Sequence, residues 1–366
     1  MTEKNTETVS DLDYSLSAAK AKKIDAPRLP YRPKNPVNYR PKIGLIGAGG
    51  ITRSHLSAYK AAGYDVAVIC NRTLERAEQR AAEFYPDAKV TTNFEEVLAD
   101  ESIEVLDIAT HPAERVSLIE RALNAGRHVL SQKPFVLDIE VGRRLVDLAN
   151  AKGVKLAVNQ NGRWAPHMSY MREAVRAGLI GNVNSVHCDI HWNHNWIAGT
   201  PFDDINDLIL SDFGVHWFDF ILSITGCRAK SVYARFARSV DQTAKPPLFA
   251  QVVIELEAGQ ASLIFDGGTV IGARDSTFIA GSEGSLESIG SDLDNQQVKL
   301  TTQRGESIPD LKGNWFKDGF HGTMAELLCA IEEERTPLND AARNLSSLEL
   351  CFAALRSAEE GVSVAI

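Results

Sequence analysis

The sequence predicts an α/β protein that opens on a doubly wound parallel sheet and continues into a strand-rich second half. Three observations predict it. A short apolar run, residues 42–47, leads into the turn Gly47-Ala48-Gly49-Gly50-Ile51-Thr52 and then a helical pattern over 53–62. Apolar runs and helical patterns alternate from there to residue 160. Beyond residue 180, successive strand-like runs follow one another, two of them joined by the hairpin signal Glu257-Ala258-Gly259-Gln260.

Size and charge bound the function. A chain of 366 residues suggests two or three domains, and 44% hydrophobic with 24% charged residues is ordinary for a globular protein. The net charge of -9 argues against a general nucleic-acid binder, which needs a basic footprint. No apolar run of about 18 residues occurs, so no membrane span is expected. The five cysteines are scattered without a C-x-x-C pair. Neither a disulfide framework nor a thiolate zinc site is indicated, and a reducing cytoplasm is the expected location.

Residues 1–40 form a proline-rich segment of net charge +3 without the apolar core of a secretory signal. It reads either as a disordered leader or as an arm lying along its own domain or a neighbouring subunit. Tyr14, Leu29, Tyr31 and Tyr39 give such an arm something to bury.

Residues 41–160 read as the dinucleotide-binding unit. Gly47 permits the tight turn, Gly49 lets the backbone approach a pyrophosphate, and N–H groups over Gly50, Ile51 and Thr52 cradle the anion. Thr52 stands where glycine or alanine is usual, which predicts a slightly wider helix–strand contact. The second strand, 65–70, ends at Asn71-Arg72 rather than at an acid. Asn71 can bond a ribose hydroxyl but cannot repel a 2′-phosphate, and Arg72 can stack on adenine or pair with that phosphate. NAD and NADP both remain open. A strand over 88–91 and a helix over 94–99 follow. The next strand, 105–109, ends at Thr110-His111-Pro112. After a helix over 113–125, the strand at 128–130 ends at Ser131-Gln132-Lys133-Pro134. A helix over 138–152 and a strand over 155–158 lead to Gln160. Thr110, His111, Lys133 and Gln160 thus sit at strand ends, where such sheets hold their ligands.

Beyond the sheet, Asn159-Gln160-Asn161-Gly162-Arg163-Trp164 is expected to face the cleft, with Arg163 either reading substrate or closing a crossover salt bridge. His191-Trp192-Asn193-His194-Asn195-Trp196 is rich in groups that suit sugars: indole faces for C–H surfaces, amides for hydroxyl pairs. His187 and His191 share a strand face but lie about 13 Å apart, so no metal is expected. Residues 199–210, with Asp203, Asp204 and Asp207, form either a loop over the cleft or a solvated turn. Asp212, His216 and Asp219, at i, i+4 and i+7, share one face of a helix. Alternatively Asp212 is a helix cap and His216 a core histidine beside Trp217. His321 is a minor site candidate.

Together these motifs resemble the Gfo/Idh/MocA oxidoreductases, the family of glucose–fructose oxidoreductase and inositol dehydrogenase. The resemblance rests on the turn Gly47–Thr52; on Gln132-Lys133-Pro134, similar to the family's Glu-Lys-Pro; on Asp212-Phe213-Gly214-Val215-His216-Trp217-Phe218-Asp219, similar to its D-x-G-x-H-x-x-D; and on the helical stretch from Phe320 to Gly361. It implies a Rossmann domain over 41–160. Residues 161–366 would form a substrate-binding and oligomerisation α/β domain with a large open, mostly antiparallel sheet and C-terminal helices. A homodimer or homotetramer follows from the same resemblance.

The resemblance also implies the chemistry: an NAD(P)-dependent oxidoreductase moving hydride between nicotinamide and a hydroxyl or ketone of a sugar, polyol or glycoside. His216 is the general acid/base, Lys133 steadies the reacting oxygen, and Asp212 orients substrate or His216 while balancing Lys133. Lys133 is expected to depress the His216 pKa, and Asp219 is expected to be structural. Substrate contacts fall to Lys133, Asn161, Arg163, Trp164, Asn193, His194, Asp212 and His216. Two other readings compete: an NAD-dependent, redox-neutral glycosidase, and a non-catalytic cofactor-bound sensor, against which Lys133, Asp212 and His216 together argue. Gln132 departs from the family pattern and removes a carboxylate beside Lys133.

Overall fold

The computed structural model describes residues 21–366. Tyr14 lies outside the described residues. The first sheet is built from strands β1 (Lys42–Ile46), β2 (Asp65–Cys70), β3 (Lys89–Thr91), β4 (Ile103–Ile108), β5 (His128–Gln132) and β6 (Leu156–Asn159). Their order is β3-β2-β1-β4-β5-β6, with every pair parallel. That order places a crevice where the winding reverses, between β1 and β4. The strands are apolar on both sides because helices cover both faces. The connecting helices are α1 (Thr52–Ala62), α2 (Leu74–Phe84), α3 (Phe94–Ala99), α4 (Pro112–Asn124) and α5 (Ile139–Lys152). Asn93 and Asp138 cap α3 and α5 by accepting backbone N–H groups.

The second sheet follows α6 (Pro166–Arg176). It contains β7 (Val183–His191), β8 (Ala229–Ala237), β9 (Phe249–Leu256), β10 (Gln260–Asp266), β11 (Arg274–Gly281), β12 (Gly284–Gly290), β13 (Gln296–Thr302), β14 (Gly305–Ser307) and β15 (Val364–Ala365). Among the described residues it runs β14-β13-β12-β11-β7-β10-β9-β8-β15, and only the β7–β10 pair is parallel. Strict alternation sorts its faces. Ala250, Val252, Ile254 and Leu256 of β9 point into the core, while Gln251 and Val253 point out. Strands are expected over 183–189, 230–238, 250–257, 260–266 and 277–281, so β12 to β14 have no counterpart among them. They carry few apolar side chains, chiefly Leu286, Val298 and Leu300, so their hydrophobic signal is faint.

Helix α7 (Val215–Thr225) covers the inner face of this sheet, and α8 (Trp315–Glu332) and α9 (Ala341–Glu360) close the fold. Both closing helices return to the parallel sheet. Phe320, Met324 and Leu327 share a core with Ile43 and Leu45, and Leu345 and Leu348 join the core under α5. The parallel sheet therefore completes its packing with residues well beyond position 160.

Residues 21–40 lie along their own chain. Lys23 forms a backbone β-bridge with Glu306, the rings of Tyr31 and Tyr170 meet edge to face, and Arg32 forms an ion pair with Asp318 at 3.0 Å. The backbone N–H groups of Val37, Asn38 and Tyr39 all donate to the carboxylate of Glu332. Those bonds hold that carboxyl below the usual range. His321, the minor site candidate, bonds Asn35 of this arm.

Candidate active site

The glycine turn is held open from below. Gly47 adopts φ +109°, and a Cβ there would lie 2.8 Å from the Ala109 carbonyl oxygen. A Cβ at Gly49 or Gly50 would meet nothing within 4 Å, so this side of the turn is free to receive a ligand. The Thr52 hydroxyl donates to the Gly49 carbonyl at 2.7 Å and folds the turn back on itself. Asn71 acts from beneath: its Oδ1 accepts the Ala48 N–H at 3.0 Å and its Nδ2 donates to the Thr73 carbonyl at 2.9 Å. Its amide therefore braces the turn. Arg72 is largely exposed and pairs with Glu114 in the first turn of α4 at 2.5 Å. His111 caps α4 by accepting the Ala113 N–H, while the buried Thr110 hydroxyl has no partner.

At the end of β5, Lys133 reaches across to the second domain. Its Nζ donates to the Asp212 main-chain carbonyl at 2.9 Å and to Asp212 Oδ1 at 3.0 Å. Asp212 sits in a π-helical turn, Ile209–Gly214, directly before α7. Wide turns of this kind re-aim side chains at functional sites. The turn also explains why Asp212 caps nothing: α7 begins after Gly214 without a side-chain cap. His216 follows in the first turn of α7. Burial, and then the charge of Lys133, hold its pKa well below the ordinary histidine range. The direction is the expected one, but desolvation leads. The ring is therefore neutral, and its Nδ1 has no partner. Asp219 turns the other way, into the interior.

A set of aromatic rings adjoins this histidine. His216 meets Trp315 edge-on, Trp217 stacks with Trp315 and contacts Trp192, and Trp192 leads to His194, which stacks on Phe213. The ring nitrogens of Trp192, Trp217 and His194, and both amide atoms of Gln160, are buried without partners. Gly162 makes room for Trp315: a Cβ there would lie 2.9 Å from the indole and 3.6 Å from His216 Nδ1. Trp315 was not among the sequence candidates. It lies 99 positions beyond His216, and only the packing of α8 brings the two together.

Several candidates sit elsewhere. Arg163 does not face this site. Its Nε and Nη2 bond both carboxylate oxygens of Asp219, and Nη1 donates to the Leu338 carbonyl at 2.6 Å. The crossover salt bridge is the arrangement present, because a buried guanidinium needs a buried counter-charge. Trp164 is likewise buried, under the Arg172 guanidinium and against Gly322. Asn161 packs against Gly319 of α8. Asn193 is exposed and uses its Oδ1 to accept the Asn195 N–H in a tight turn. His187, His191 and His194 have separate surroundings. His187 bonds Ser262, His191 lies between Asp189 and Asp266, and His194 stacks on Phe213. Asp203 accepts from Gly199 and Lys245, which braces residues 199–204 as a turn, and Phe202, Ile205 and Asp207 of the same segment lie beside Lys133 and Asp212.

Lys133 and Asp212 line a cleft of about 960 Å³ together with the polar His111, Asn206, Asp207, Arg356 and Glu359 and the apolar Phe202, Ile205, Phe236 and Leu355. Residues 41–160 match the family described as "Oxidoreductase family, NAD-binding Rossmann fold". Residues 168–287 match the "GFO/IDH/MocA C-terminal domain". The chain belongs to the Gfo/Idh/MocA family. D-apiose dehydrogenase of Paraburkholderia graminis is 30% identical over 187 residues, half of each chain. The scyllo-inositol 2-dehydrogenase (NADP(+)) of Bacillus subtilis is 25% identical over 87% of this chain and 94% of its own. A crystal structure of an oxidoreductase from Agrobacterium radiobacter, in complex with NAD+, L-tartaric acid and magnesium, shares the fold. Its TM-score is 0.81 at 20% identity, with 89% of this chain and 98% of that one covered.

As a Gfo/Idh/MocA protein the chain has an NAD-binding Rossmann fold, and its residues fit such a dinucleotide: an unobstructed glycine turn, unpartnered Thr110 and Gln160 groups, and Lys133 at the β5 end. Among the described residues, no helix is long and apolar enough to cross a membrane.

Proposed function

We propose that this protein is a nicotinamide-dependent oxidoreductase acting on a hydroxyl-bearing carbon of a sugar or polyol. The observation that carries the reading is the ion pair of Lys133 and Asp212 beside a neutral, unpartnered His216. The bound nicotinamide supplies the hydride acceptor or donor. The protein's own residues handle the rest. Neutral His216 can take the hydroxyl proton as the carbonyl forms. Lys133 offers N–H donors to the oxygen that becomes electron-rich. Asp212 fixes Lys133 and keeps its charge balanced. Buried donors on Trp192, Trp217 and His194 favour a substrate with several hydroxyls, since an unmatched buried donor is costly. The names of the apiose and inositol relatives support the same substrate class.

The apolar side chains lining the cleft favour a second reading, a redox-neutral glycosidase for a substrate with an apolar aglycone. Association into a homodimer or homotetramer is supported by the outer face of the second sheet, where exposed Tyr233, Val253 and Phe278 fall in one cross-strand row. Five free cysteines support a reducing, cytoplasmic location.

The test is nicotinamide reduction across a panel of inositols, aldoses and aryl glycosides with NAD+ and NADP+. Turnover that disappears in Lys133→Met and His216→Ala supports the oxidoreductase. Unchanged turnover in both variants sinks it. Aglycone release without net nicotinamide reduction selects the glycosidase.

A further inference from the structure

Beneath Lys133 lies a buried chain of hydrogen bonds that the proposed chemistry does not use. Gln132, His55 and Asp107 are all buried, the last two completely. Gln132 Oε1 accepts the Lys133 backbone N–H at 2.6 Å. Gln132 Nε2 lies 2.9 Å from His55 Nε2. His55 Nδ1 lies 2.6 Å from Asp107 Oδ2, which also accepts the Tyr59 hydroxyl at 2.8 Å.

The protons in this chain have one consistent arrangement. A backbone N–H can only donate, so the Gln132 oxygen must face Lys133 and the amide nitrogen must face His55. An amide N–H then meets His55 Nε2, which must offer a lone pair. His55 therefore carries its single proton on Nδ1 and donates it to Asp107. Lys133, Gln132, His55 and Asp107 point the same way, and no member exchanges a proton. Arg115, itself buried, donates to the Gln132 and Pro134 carbonyls on either side of Lys133. Its charge faces Asp107.

We propose that Gln132 is a positioning residue that sets the Lys133 backbone against a proton-fixed relay of His55 and Asp107. This rests on the oxidoreductase reading for its activity arm alone. Glutamine is the informative feature. A carboxylate at 132 could still accept the Lys133 N–H, but its second oxygen would face the His55 lone pair. The site would then have to bind one extra proton, on the carboxyl or on His55, or hold two acceptors in contact. The charged and titratable groups facing it are His55 and Tyr59 from α1, Asp107 from β4, Arg115 from α4 and Lys133 from its own segment, with Asp212 beyond Lys133. From α8, the apolar ring of Phe320 stacks on His55.

The experiment compares wild type, Gln132→Glu and Gln132→Leu by unfolding midpoint from pH 5 to 9 and by kcat and KM with the best polyol of the panel. Gln132→Glu should unfold near the wild-type temperature at pH 5 and progressively below it as pH rises. Its folded state needs the added proton, whereas an unfolded glutamate releases it above about pH 4.3. Gln132→Leu should be destabilised equally at every pH. Its kcat should fall about tenfold to a hundredfold with KM nearly unchanged, the signature of a misplaced catalytic group. Gln132→Glu should regain kcat towards pH 5. A midpoint difference for Gln132→Glu that does not change with pH, or an unaltered kcat in Gln132→Leu, overturns the proposal. If wild type turns over no polyol, the oxidoreductase reading fails, and the pH dependence of unfolding still decides the relay.

Discussion

Lys133 Nζ donates both to the Asp212 side chain, at 3.0 Å, and to the Asp212 main-chain carbonyl, at 2.9 Å. One residue thus ties the end of a parallel strand to the turn that introduces α7. The carboxylate supplies charge balance and the carbonyl supplies position. The two contributions separate by mutation. Lys133→Met should lower kcat by about 10²-fold to 10⁴-fold, the range for a lost polar catalytic group. Asp212→Asn keeps the carbonyl anchor and should cost kcat less than Lys133→Met. Steady-state kinetics of both variants check this, and equal losses would show that Asp212 does more than balance Lys133.

His216 has a pH signature. Burial and the Lys133 charge lower its pKa, so the folded protein keeps the ring neutral while the unfolded chain protonates it below about pH 6.5. The unfolded state then binds more protons, and stability falls as pH drops through that value. His216→Asn should remove part of this loss. It does not remove all of it, because burial also lowers His194 and His128 to about 4 and His167 to about 3. The neutral ring also predicts that kcat/KM for alcohol oxidation shows no inflection near pH 6.5. A His216-dependent inflection there would contradict the neutral assignment.

Arg163 and Asp219 form a buried pair with two side-chain contacts, and Ser347 adds a bond to Asp219 at 3.2 Å. Removing either partner leaves a buried charge unpaired. Arg163→Met or Asp219→Leu should each destabilise the fold by about 3–5 kcal/mol, and the double variant by less than the sum of the singles. Denaturant unfolding measures this. A raised KM for Arg163→Met with unchanged stability would return the arginine to the substrate site.

Arg72 pairs with Glu114 at the surface beyond the end of β2, the place where folds of this kind read the adenosine ribose. Glu114→Gln frees the guanidinium and removes a charge that opposes a 2′-phosphate. The ratio of NADP+ to NAD+ affinity should rise roughly twofold to fivefold, as befits an exposed pair. No change in that ratio would place Arg72 outside cofactor recognition.

Much of the fold is legible along the chain. The glycine turn, the alternating apolar runs and the stop and start signals mark the parallel sheet to within a residue or two at most boundaries. Strands β12 to β14 are not legible, because polar strands at the far end of a sheet carry little hydrophobic pattern. The site divides in the same way. Lys133, Asp212 and His216 are readable because strand ends and a motif on one turn announce them. Trp315 is not, since its partner is set by helix packing across the molecule. Arg163 and Trp164 stand next to the cleft in sequence yet point into the interior. Sequence order says where the backbone goes but not which way a side chain turns.

The sequence by itself determined the α/β class and the dinucleotide turn, and its motifs nominated Lys133, Asp212 and His216 as candidates. Those depend on local backbone geometry and on residue chemistry, which are properties of neighbours in the chain. Only the tertiary structure decided that Asp219 serves Arg163, that His216 is neutral, and that Asn71 braces the turn. Each of these depends on burial and on a partner from a distant element. Burial fixes which charges must be paired, and the chain alone does not state what is buried.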